Sequence, residues 1–320
     1  MSTYGSPHPS EDPRAGAEAA SLTQDIGPTA VPTGKKVTVP AVRAAKSSGT
    51  PLVMTTAYDA ATARIADRAG VEVILVGDSL GMVVLGREDT LRVSVDEMVH
   101  HSAAVASQRP RALVVGDMPF LSYHVSVEDT VRNAGRLVVE GGAECVKIEG
   151  GRKRLRMIGA ILDAEIPVMG HLGLTPQSVN AMGGFRVQGK VRKQAEELLA
   201  DAAALAEAGV FAMVLEGVPS ELAALITADV GVPTIGIGAG PHCDGQVLVI
   251  HDLLGLTDGH VPKFVRRYAD IATVAVEAVG AFADDVRSGA FPAPEESYRL
   301  PDEVAAAMGA RDIRVETAER

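Results

Sequence analysis

The run VEVILVGDS at residues 71–79 sets the reading of the whole chain. It is apolar almost throughout, stops at Gly77 and turns polar at Asp78 and Ser79. A strand with one solvated face would alternate apolar and polar residues, whereas a parallel strand covered on both faces reads as one apolar run. From residue 50 onward similar runs recur at 51–56, 112–116, 144–149, 166–170, 211–216, 233–238 and 246–251. Helical stretches separate them. Ser94-Val-Asp-Glu97 is a capping box that opens a helix to about residue 107. Residues 194–208 are rich in Ala, Leu and Glu and stop at Gly209, and 60–69 stop in the same way at Gly70. Eight runs with seven connections predict an α/β fold, a (β/α)8 TIM barrel, with a doubly wound open sheet as the alternative topology.

Composition excludes several classes. The 320 residues are 47% hydrophobic, enough for one large core. The net charge of −11 disfavours binding to phosphate backbones, and 3% aromatics without Trp leave no stacking platform, so no nucleic-acid partner is expected. The apolar runs fall well short of the roughly 20 residues of a bilayer helix, so no membrane span is expected. The acidic, Pro-containing start lacks the apolar core of a signal peptide. Cys145 and Cys243 are far apart and form no C-x-x-C pair, which suits a reducing cytoplasm. TGKK at 33–36 is not a phosphate loop, because Thr29 and Lys36 stand where that motif needs Gly and Ser or Thr. Gly236-Ile-Gly-Ala-Gly240 is not a dinucleotide fingerprint either, since Pro241 replaces its third glycine. Residues 1–35 read as a flexible arm.

Polar residues gather where the runs end. Gly77 is followed by Asp78 and Ser79, and Gly116 by Asp117. The fourth run carries Lys147 and Glu149, spaced to share a face; the fifth ends at His171 and the sixth at Glu216. Taken singly, Asp78, Asp117 or Glu216 fits a helix cap, Lys147 and Glu149 a simple ion pair, and His171 a bonded core histidine. Jointly, acids with one Lys and one His at equivalent strand ends describe a site at the C-terminal mouth of a barrel. His100 and His101, adjacent on a helix, point apart and read as packing or surface residues.

Several strings carry a family resemblance: DSLGM at 78–82, VKIEGG at 146–151, GHLGLTPQS at 170–178, GGFRVQG at 183–189, IGIGAG at 235–240 and GHVPKF at 259–264. They resemble the ketopantoate hydroxymethyltransferases over about residues 36–298. The resemblance implies a barrel of the phosphoenolpyruvate mutase/isocitrate lyase type, spanning about 36–300 between the arm and a tail at 301–320. It implies a cytoplasmic homodecamer that moves a one-carbon unit from 5,10-methylenetetrahydrofolate to 3-methyl-2-oxobutanoate. By the same resemblance Mg²⁺ is held by Asp78 and Asp117 with Glu149 nearby. Substrate is bound by Asp78, Ser79, Asp117, Lys147 and His171, and Glu216 is the general base. The rival reading is a Mg-dependent 2-oxo acid lyase of the same superfamily, which should carry a loop cysteine that neither Cys145 nor Cys243 matches.

Charge counting fits that assignment. Two aspartates neutralise a divalent ion, a bound 2-oxo acid leaves −1 and its enolate −2, so Lys147 supplies a needed positive charge. Arg186, Lys190, Arg192 and Lys193, in a Gly-rich loop of an acidic protein, are candidates to steer the folate's glutamate carboxylates, or are simply solvated.

Overall fold

The structure is a computed structural model, and it describes residues 34–259 and 261–309. Eight parallel strands close into a barrel in sequence order: β1 Leu52–Thr56, β2 Val73–Val76, β3 Leu113–Asp117, β4 Cys145–Glu149, β5 Val168–Gly173, β6 Ala212–Glu216, β7 Thr234–Ile237 and β8 Gly245–Leu248. The open-sheet alternative is excluded by the pairing of β8 with β1, where Gly245 to Leu248 match Leu52 to Thr55.

The helices are α1 Val39–Ser48, α2 Ala60–Arg68, α3 Leu80–Val83, α4 Val95–Ala106, α5 Val127–Val139, α6 Leu155–Asp163, α7 Val179–Met182, α8 Arg192–Ala208, α9 Ser220–Asp229, α10 Ile250–Leu254, α11 Ile271–Ser288 and α12 Asp302–Ala307. Local chemistry starts and stops them. The predicted capping box at α4 forms: Ser94 Oγ accepts from the Glu97 N–H at 3.2 Å, and Glu97 Oε2 accepts from the Ser94 N–H at 2.8 Å. Asp59 and Thr62 build the same device on α2. Gly209 ends α8 in the left-handed region, as its position predicts.

Two apolar layers follow from strand alternation. Inward residues such as Met54, Val73, Val115, Cys145, Met169 and Val214 fill the barrel. Outward ones such as Ile74, Val114, Val146 and Met213 pack under the helices. Two expected boundaries shift. The fifth strand runs on to Gly173, and the eighth ends at Leu248 rather than 251 because α10 begins there. The Ile250 N–H, free at that helix start, donates to Thr56 Oγ1 across the barrel seam at 3.0 Å.

Of the expected arm only residues 34 and 35 are described, and of the expected tail only 301–309, which include α12; His260 also lies outside the described residues. Helix α11 buries none of its residues, and Ile271, Val274, Val279, Phe282 and Val286 form an exposed apolar stripe along it.

Candidate active site

Register brings the strand-end residues together. Asp117 pairs with Lys147, Glu149 with His171, and Gly173 with Glu216, so the side chains climb the inner wall from β3 to β6. Gly173 has φ +94°, and a Cβ there would lie 2.2 Å from the Glu216 carbonyl. The glycine therefore allows the close approach that sets His171 beside Glu216.

The aspartates are not helix caps. Asp78 and Asp117 are buried, and the Asp78 N–H donates to Asp117 Oδ2 at 3.3 Å. Lys147, also buried, places Nζ 2.8 Å from Asp117 Oδ1 and 3.9 Å from Glu149 Oε1, so its main partner is on the neighbouring strand. Ser79 follows Asp78, and its Oγ lies 2.9 Å from the Tyr58 hydroxyl.

The Lys147 ammonium fixes the state of His171. Nζ is 3.1 Å from Nδ1, and an ammonium can only donate, so Nδ1 accepts and the ring proton sits on Nε2. Burial first, and the Lys147 charge second, hold the imidazole well below its ordinary value, so the ring is neutral. Nε2 lies 3.3 Å from Glu216 Oε2 without forming a hydrogen bond, which leaves its N–H as a donor at the site.

Electrostatics distinguishes the acids. Burial and the charge of Asp117 push Asp78 up to about 7, and burial pushes Glu149 well above its usual range. Burial likewise raises Glu216 to about 7, with Lys147 opposing. Its side chain keeps 16% of its surface open, so it can reach a bound molecule. Lys147 is held above its ordinary value by Asp117 and Glu149 against the effect of burial.

These groups line one cavity of about 560 Å³. Its floor is apolar, from Leu75, Val214 and Val247, and Phe185, Arg186 and Phe264 form part of its wall. A Cβ on Gly238 would fall 2.7 Å from the Phe264 ring, so this glycine is where backbone and ring meet. Arg186 thus reaches the cavity, whereas Lys190 and Lys193 are exposed and Arg192 pairs with Glu196 at 2.7 Å. His101 Nδ1 lies 2.6 Å from the Tyr58 carbonyl, a packing role away from the acids.

Three buried carboxylates beside one lysine offer oxygen donors and excess negative charge, the chemistry that a hard divalent cation satisfies. Glu149 Oε1 makes no hydrogen bond and is an available donor oxygen, whereas Asp117 Oδ1 is engaged by the Lys147 ammonium at 2.8 Å. Among the described residues no three His, Cys, Asp or Glu groups form a complete metal cage. Mg²⁺ does not require one, since it takes one or two carboxylates and completes its shell with water and ligand.

Tyr58, Tyr123 and Gln177 join this network without being expected there; the one trace of Gln177 in the sequence is an uncharged amide soon after a strand end, within GHLGLTPQS at 170–178.

Residues 36–294 match the family model described as ketopantoate hydroxymethyltransferase. The chain is 59% identical over 270 residues to 3-methyl-2-oxobutanoate hydroxymethyltransferase 2 of Bradyrhizobium diazoefficiens, covering 84% of this chain and 92% of that protein. Among known structures, phosphonopyruvate hydrolase in complex with oxalate and Mg²⁺ superposes with a TM-score of 0.53 at 17% identity, over 86% of this chain and 99% of the other. The 2,3-dimethylmalate lyase, a member of the PEP mutase/isocitrate lyase superfamily, gives 0.53 at 17% identity, over 85% and 94%. These two likenesses concern the fold, whereas the family match covers nearly all of the barrel. The chain belongs to the ketopantoate hydroxymethyltransferase family.

Proposed function

We propose that this enzyme transfers a hydroxymethyl group from 5,10-methylenetetrahydrofolate to 3-methyl-2-oxobutanoate, giving 2-dehydropantoate for pantothenate and coenzyme A synthesis. The observation that carries the reading is Glu216, raised to about 7 and facing the same cavity as Lys147, His171 and the Asp78–Asp117–Glu149 cluster. The family membership supports it.

Asp78 and Asp117, with Glu149 nearby, are the residues to hold Mg²⁺. When bound, the ion supplies Lewis-acid stabilisation of the 2-oxo acid's keto oxygen. The Mg²⁺ in the phosphonopyruvate hydrolase complex supports this choice by fold alone. Ser79, steadied by Tyr58, binds the substrate carboxylate. Glu216 takes the proton from C3, and a base poised near neutrality is matched to that task. The His171 Nε2–H and the Lys147 charge stabilise the negative charge that develops on oxygen. Carbon–carbon bond formation at C3 then consumes the electron pair left by the proton. The methylene's two bonds to the folate nitrogens break, water supplies the new hydroxyl, and the proton held by Glu216 and the one released by water go to those nitrogens as tetrahydrofolate leaves.

The lyase alternative lacks a cysteine to serve it. Cys145 lies inside the barrel with its thiol pushed well up by burial, and Cys243 is raised as well. Arg186, at the cavity wall, is the best placed of the basic loop to meet a folate carboxylate. Residues 36–300 act as one catalytic unit, in the cytoplasm, within a homodecamer. The uncovered stripe of α11 supports association of copies. Sedimentation should give one species near ten chain masses, and a monomer would contradict it. Protein mixed with Mg²⁺, 3-methyl-2-oxobutanoate and methylenetetrahydrofolate should yield ketopantoate by mass spectrometry; its absence would overturn the function.

A further inference from the structure

Gln177 sits at the centre of the acid cluster although it carries no charge. It is 4% exposed, in the single turn Pro176–Ser178 that follows β5. Pro176 has no N–H, so the first free backbone donor of that turn belongs to Gln177, and it donates to Glu149 Oε2 at 3.1 Å. The side-chain Nε2 donates to Asp78 Oδ2 at 2.8 Å and to the Met118 carbonyl at 3.0 Å. Its Oε1 accepts from the Tyr123 hydroxyl.

The chemistry leaves the amide one orientation. Asp78 Oδ2 and the Met118 carbonyl are both acceptors and need the NH₂, while the phenol needs the oxygen. A flipped amide would set oxygen against oxygen twice. Glutamine alone among the side chains of this length offers two donors and an acceptor without charge. One residue thus occupies one oxygen of Asp78 and one of Glu149. The second oxygen of Glu149 is left without a hydrogen bond.

We propose that Gln177, locked by Tyr123, is a positioning residue that orients Asp78 and Glu149 so that their remaining oxygens face the divalent cation. The inference rests on the metal reading given above. Outer partners of metal-binding carboxylates typically contribute 10–100-fold to affinity.

The test uses the full chain and Mn²⁺ as the probe, with its Kd read by calorimetry and by electron paramagnetic resonance. Gln177→Met should weaken Mn²⁺ binding about 10–100-fold. Tyr123→Phe, which removes the hydroxyl that anchors the amide oxygen and so loosens the side chain, should weaken it in the same direction by a smaller factor. In both variants saturating Mn²⁺ should restore most of the turnover, which general structural damage would not allow. A folded Gln177→Met protein whose Kd stays within about twofold of wild type would overturn the proposal, as would lost turnover that saturating metal does not recover. If Gln177→Met fails to fold, the same two outcomes in Tyr123→Phe decide. A wild-type chain that binds no Mn²⁺ would instead sink the metal reading, and this inference with it.

Discussion

Four strands carry two very different layers only two residues apart. Val115, Cys145, Met169 and Val214 are buried, apolar or nearly so, and fill the barrel. One step further along the same strands stand Asp117, Lys147, His171 and Glu216. Val214, with Leu75 and Val247, floors the cavity above this layer, and burial there is what raises Glu216 and lowers His171. The upper layer gains reactivity by accepting an electrostatic cost. Stability and chemistry are therefore separated by one repeat of the pleat, as expected of barrels that act at their C-terminal face.

The sharpest break should come from Lys147→Met. It removes the cation that faces Asp117 and Glu149, leaving buried charges unpaired, a loss of about 3–5 kcal/mol in such settings. Turnover should fall by about 10²–10³-fold. Urea unfolding together with steady-state kinetics would show both losses at once.

The lower layer should behave in the opposite way. Met169 is fully buried and level with Lys147 in the register. Met169→Ala should cost about 2–5 kcal/mol in urea unfolding. Turnover per folded molecule should stay within a few-fold of wild type, because Met169 does not line the cavity.

Glu216 allows a subtler contrast. Its folded pKa is raised from 4.5 to about 7, so the folded state holds the proton more tightly than the unfolded chain. That contribution to stability is complete below the unfolded value and is lost as pH rises through about 7. Glu216→Gln should therefore gain stability above neutrality, by at most about 3 kcal/mol near pH 9 and nothing at pH 4, in urea titrations at the two pH values. In the wild type, kcat/KM should rise through about pH 7, because the base must be ionised to act.

At the rim the effects should be smallest. Arg186→Ala with Lys190→Ala should raise the KM for polyglutamylated folate by only a few-fold, since exposed charges contribute about 1 kcal/mol or less. An unchanged KM would make the loop a solvated surface.

Much of this was legible in the sequence, for physical reasons that differ by element. Period-two spacing put Lys147 and Glu149 on one face, and the glycine-to-acid transitions marked where strands leave the barrel. The Ser94–Glu97 capping box was readable because it is local, whereas the Asp59–Thr62 box on α2 appeared only in the structure. The end of β8 was not readable, because Val247 to Ile250 stay apolar while a threonine from the far side of the seam catches the helix start. Nor was the link from Tyr123 through Gln177 to Asp78, which joins three separate loops at the barrel mouth. The tautomer of His171 likewise depends on where Lys147 ends in space. Nonlocal polar contacts leave no periodic trace.

Removal of the C3 proton of 3-methyl-2-oxobutanoate is the step proposed for Glu216. Incubation in deuterated water with Mg²⁺ and no folate, followed by NMR of the C3 position, tests it directly. Wild type should exchange that hydrogen, and Glu216→Gln should do so about 10²–10⁴-fold more slowly. Exchange at the wild-type rate in the variant would exclude Glu216 as the base.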